Sequence, residues 1–68
     1  MIDILVRDIN GKRGTICRLS RSEIIDAIKE DISDDDEILL VMQDGMCIYS
    51  ALGSDHSITK DDLTGFFG

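Results

Sequence analysis

The side chains that could do chemistry are few. The single histidine, His56, stands between Asp55 and Ser57, with Ser54 just before them. Catalysis by serine, histidine and aspartate needs side chains brought from separate elements over an oxyanion hole, and four consecutive loop residues do not supply that. His56 therefore reads as an exposed loop residue. No Gly-rich phosphate loop follows a strand, so nucleotide hydrolysis is unsupported. Asp34-Asp35-Asp36-Glu37 has the carboxylates of a calcium loop but neither its alternating ligands nor its glycine turn. Cys17 and Cys47 lie thirty residues apart without paired-ligand spacing. A disulfide would need their strands to be neighbours; the reading preferred is two reduced, small core residues. The expectation is a protein that is not an enzyme, with no catalytic residue, no metal site and no cofactor.

Charge is the more informative feature. The net charge is −7 over 68 residues, and it is unevenly spread. Residues 1–21 hold Arg7, Lys12, Arg13, Arg18 and Arg21 against Asp3 and Asp8; everything beyond holds only Lys29 and Lys60 against twelve acids. Such asymmetry speaks of partners more than of fold. The basic residues around Lys12 and Arg13 have no interleaved aromatics of the kind that single-stranded nucleic acid stacks on. The whole-chain field also repels phosphate, so direct nucleic-acid binding is not expected.

The acids gather around one segment. Glu23, Asp26 and Glu30 recur at helical spacing, which places successive carboxylates about 5–6 Å apart on one face. Asp31, Asp34, Asp35, Asp36 and Glu37 continue the run around the helix end. Glu30 and Asp31 sit at the negative end of the helix dipole, and Asp26 with Glu30 is a like-charge pair. Each of these costs some tenths of a kcal/mol, and local rules broken without structural gain tend to mark function. The bland reading is a solubilising surface.

The elements that must position these residues are legible. Ile2, Ile4 and Val6 alternate with polar or outward positions as in a half-buried strand. Asn10-Gly11 is a strong hairpin signal. A two-residue turn there sets Ile4 opposite Cys17, Asp3 opposite Arg18 and Asp8 opposite Arg13, with Ile2, Ile4, Val6, Cys17 and Leu19 on one face. Gly14 suggests either a bulge or a loop of five residues instead of two. The helix over 19–32 starts with Ser20 as cap and Glu23 as its reciprocal partner, Leu19 and Ile24 closing as a staple. Ile24, Ile25, Ile28 and Ile32 form its apolar stripe.

Glu37 to Gln43 is an almost continuous apolar run, as in a central strand. Asp44-Gly45 turns it back, setting Met42 opposite Cys47, Leu40 opposite Tyr49 and Ile38 opposite Ala51 on one face. The other face, with Leu39, Val41, Ile48 and Ser50, is also fairly apolar. Gly53 to Ser57 reads as a loop, and Ile58-Thr59-Lys60-Asp61-Asp62-Leu63 repeats the helix-start pattern, with Leu63, Phe66 and Phe67 on one side of a brief helix.

These pieces predict a small single α+β domain over 1–68, ββαββα. Its four-stranded antiparallel sheet has the order 2-1-3-4, with the long helix packed on one face and a short C-terminal helix. A chain this short buries about 60% of its unfolded surface. With 43% apolar and 31% charged residues the composition is globular. The longest apolar run is far too short to cross a bilayer, and Met1-Ile2-Asp3 opens directly into a strand pattern, so the expected location is the cytoplasm.

In general character such small, acidic, proline-free domains are similar to phage-encoded inhibitors, including anti-CRISPR proteins and other nucleic-acid mimics. That likeness of class implies a regulator or inhibitor presenting Glu23, Asp26, Glu30, Asp31, Asp34, Asp35, Asp36 and Glu37 to the basic surface of a nucleic-acid-binding protein. The alternative is an assembly module, a homodimer joined through a free sheet face or through the Phe66-Phe67 end.

Overall fold

The computed structural model describes residues 1–51 and 58–67. The expected loop from Gly53 to Ser57, which carries His56, lies outside them. In order, the elements are β1 (Ile2–Arg7), β2 (Arg13–Arg18), α1 (Arg21–Asp31), β3 (Glu37–Gln43), β4 (Met46–Ser50) and α2 (Lys60–Phe67). They build the expected sheet, order β2-β1-β3-β4, antiparallel throughout.

The first hairpin differs in register by one residue. Ile4 faces Ile16, Asp3 faces Cys17 and Arg7 faces Arg13. The cause is Asp8. Its carboxylate accepts the main-chain N–H groups of Asn10 and Lys12, both at 2.9 Å. The Gly11 N–H also closes a turn onto the Asp8 carbonyl at 2.9 Å, with Gly11 at φ +83°. A type I turn followed by a left-handed glycine makes a three-residue loop, inside the five-residue connection that was the alternative to Asn10-Gly11 alone. Because side chains alternate with period two, the one-residue change sends Cys17 to the face opposite Ile4 and brings Ile16 to the core side. Both cysteines are exposed thiols, not core residues.

Two irregularities reshape the other pairings. Leu5 faces Leu40 but Val6 faces Ile38, so Leu39 is an inserted residue in β3; Met42 faces Cys47 as expected, but Val41 faces Tyr49, so Ile48 is inserted in β4. Each bulge flips the strand beyond it. Ile38, Val41 and Tyr49 therefore all reach the helix side, and Leu40 faces Ser50 instead of Tyr49.

The core lies between this side and both helices. Ile2 and Ile4 from β1, Ile38 and Val41 from β3, Ile24, Ile28 and Ile32 from the α1 segment, and Leu63 and Phe67 from α2 form one buried cluster. Full burial of one such side chain stabilises by about 1.5–3 kcal/mol. Ser20 caps α1, its hydroxyl accepting from the Glu23 N–H at 3.3 Å. Leu19 does not staple it: it is 73% exposed. At α2 the box is reciprocal, Thr59 Oγ1 accepting from the Asp62 N–H and Asp62 Oδ2 accepting from the Thr59 N–H, each at 3.2 Å. Lys60 Nζ donates to the Lys29 carbonyl at 3.1 Å, satisfying an orphan acceptor at the C-terminal end of α1. Phe66 and Phe67 part company: Phe67, four residues after Leu63, is 5% exposed, and Phe66 points outward at 49%.

Candidate acidic interaction face

The helix decides which acids stand together. Ile24, Ala27 and Ile28 are buried and turn the intervening positions outward. Glu23, Asp26 and Glu30 are thereby exposed in a row, joined by Asp31. These four, with Arg18 and Ala27, border a shallow groove of about 220 Å³ along α1. The methyl group of Ala27 forms a low floor, leaving room between carboxylates.

Arg18 enters this row from β2. Its Nη2 lies 3.4 Å from Asp31 Oδ2, while Nη1 donates to the Cys17 carbonyl at 2.7 Å. A one-residue change in hairpin register is what puts a guanidinium here: Arg18 shares the core side with Ile16 and reaches α1 instead of pairing with Asp3. Asp31 is thus neutralised within the chain. Among the described residues, Glu23, Asp26 and Glu30 enter no ion pair with a cation of the chain.

The expected eight-residue patch does not stay whole. Asp34 and Asp35 are exposed in the connection after α1. Asp36 is half-buried and committed to a turn: its Oδ2 accepts from the Ser33 N–H at 3.0 Å, and its own N–H donates to the Ser33 carbonyl at 3.1 Å. Glu37 leaves the patch altogether. It opens β3 on the sheet face away from α1, where Arg7 of the neighbouring strand binds its Oε2. That pair also answers a local problem, since Arg7 and Arg13 face each other directly and like charges across strands are destabilising.

A second polar contact lies on that far face. The Cys17 thiol is held above its usual range, first by its hydrogen bond to the Asp3 carboxylate and then by desolvation. A thiol so placed is a poor nucleophile. Among the described residues no group of three or more cysteine, histidine or acidic side chains is arranged to hold a metal ion, and no helix is long and apolar enough to cross a membrane.

No protein-family model matches the chain, nor does any curated protein or solved structure.

Proposed function

We propose that the chain is a non-enzymatic binding domain, a regulator or inhibitor, that sets the outward carboxylates of α1 against a basic surface of a partner protein. The observation that carries this reading is the row Glu23, Asp26 and Glu30, exposed and unmatched by any described cation of the chain. Asp34 and Asp35 extend it. Carboxylates recurring at helical spacing present a negative ladder, regular and negative as the phosphates of a nucleic-acid strand are. The fitting partner is a groove lined with lysine and arginine, such as a nucleic-acid-binding protein provides. Association of this kind is electrostatically steered and weakens steeply with salt.

The test pairs the chain with a variant carrying Glu23→Gln, Asp26→Asn and Glu30→Gln, which keeps side-chain size and removes the charge. Each is immobilised and exposed to a lysate at low salt, and bound nucleic-acid-binding proteins are then assayed for nucleic-acid binding with added chain. The reading expects a partner captured by the chain and released by salt, whose nucleic-acid binding the chain blocks and the variant does not. Equal capture and equal competition by the variant would remove the acidic row from the account.

A further inference from the structure

Both helices pack on one face of the sheet, and no described element covers the other. The strands present four charged side chains there, Asp3, Arg7, Arg13 and Glu37, so this face is electrically neutral and the −7 of the chain resides elsewhere. Arg7, Arg13 and Glu37 stand at one end, with one net positive charge, and Asp3 at the other; the half-buried Leu5 and Leu40 lie between them. The depression toward the Arg7 and Arg13 end, bordered also by Glu37 and Ala51, is about 200 Å³ and falls short of the roughly 300–1,000 Å³ of small-molecule sites. A flat, neutral, apolar-centred surface instead suits a macromolecule, and two features choose which. A basic partner gains nothing from a face that already holds two arginines. A second copy of this chain, repelled by the acidic remainder of its twin, meets no net repulsion here.

We infer that two copies associate through these open sheet faces. A two-fold axis lying between the faces and running across the strands lays the basic end of each copy over the acidic end of the other. Arg13, which among the described residues enters no ion pair within its own chain, then meets Asp3 of the second copy, twice by symmetry, and the half-buried Leu5 and Leu40 of each copy meet in the middle. The molecule measures 28 × 25 × 19 Å, so its broad face lies below the roughly 800 Å² per partner of a standard interface and the dimer is weak. Each copy keeps α1 on the outside, and the pair displays two acidic rows pointing apart.

Sedimentation velocity of the full chain from about 10 µM to about 1 mM tests this, a range suited to small interfaces. The mass should rise from the 7.5 kDa monomer towards twice that value. It should rise more readily at about 150 mM than at about 10 mM salt, because shortening the Debye length from about 30 to about 8 Å screens repulsion between two acidic copies. That is the opposite of the salt response proposed for the α1 row. Arg13→Asp and Asp3→Arg should each weaken association about tenfold or more, and their combination should restore it. Leu40→Glu should abolish it; Thr15→Glu, an exposed change on the same face, should do the same without touching the core. A monomer at every concentration in 150 mM salt overturns the inference. So does a dimer indifferent to Leu40→Glu and Thr15→Glu, including one that Phe66→Ser dissolves.

Discussion

Arg18 of β2 holds Asp31 of α1 at 3.4 Å and so plants the one described cation that stands within the acidic row. The pair is about half exposed on both sides, and such surface pairs contribute about 0–1 kcal/mol. Arg18→Ala should therefore leave chemical denaturation shifted by less than about 1 kcal/mol. The same change frees a fourth carboxylate, and calorimetry at low salt should show a lysine-rich peptide binding about two- to fivefold more tightly, as an added complementary charge at a rim would give. Unchanged binding would mean that the α1 groove is not where cations settle.

The two adjacent phenylalanines separate burial from mere hydrophobicity. Phe67→Ala removes a ring packed with Leu63 and the β-strand isoleucines, and should cost about 3–5 kcal/mol, a large share of the stability of so small a domain. Phe66→Ala removes a ring already half in water and should stay within about 0.5 kcal/mol. Urea titrations of the two variants make the comparison, and similar losses would place both rings in one environment.

Two glycines of the first hairpin are predicted to differ in sign. Gly11 sits at φ +83°, so Gly11→Ala is strained although open space surrounds it, and should destabilise by about 1 kcal/mol. Gly14 lies in β2 with ordinary backbone and nothing within 4 Å of an added Cβ. Gly14→Ala should be neutral or stabilising by up to about 1 kcal/mol, through lost freedom of the unfolded chain. Thermal melts read both.

The Asp3 carboxylate beside the Cys17 thiol makes a chemical prediction. The Cys17 thiolate is disfavoured in the folded chain, so its alkylation by iodoacetamide near pH 8 should be slow relative to the unfolded chain. Because the folded state holds this proton more tightly, the associated stability is present at neutral pH and is lost as pH rises through the raised thiol value. Asp3→Asn removes the carboxylate charge and should speed alkylation of Cys17 severalfold. Mass spectrometry of the labelled peptide, with Cys47 as an internal reference, follows it.

Strand order followed from two hairpins joined by one helix in an antiparallel sheet. The Ser20 cap, the Thr59–Asp62 box and the α1 stripe were legible because each depends on local pattern, although Glu23 does not return the bond that Ser20 accepts from it. Register was not. Asn10-Gly11 reads as a two-residue turn, and only the double acceptor role of the Asp8 carboxylate lengthens it. The bulges at Leu39 and Ile48 were hidden for a different reason. A strand apolar at nearly every position between Glu37 and Gln43 carries no alternation to break, so nothing in Ile38-Leu39-Leu40-Val41 announces which residue is supernumerary. The acidic row was visible wherever helical spacing set it, at Glu23, Asp26 and Glu30. It was misjudged at Glu37, whose direction depends on where β3 begins and on Arg7 beside it.

Strand β1 is flanked by β2, which follows it closely, and by β3, which arrives after the whole of α1. During synthesis at about 5–20 residues per second, β1 thus spends a few seconds with one ladder formed and its second edge bare. The nascent hairpin is vulnerable to pairing with strangers in that interval, since unpaired edges template foreign strands. Slower translation through α1 lengthens that exposure, and a chaperone that covers β1 shortens it.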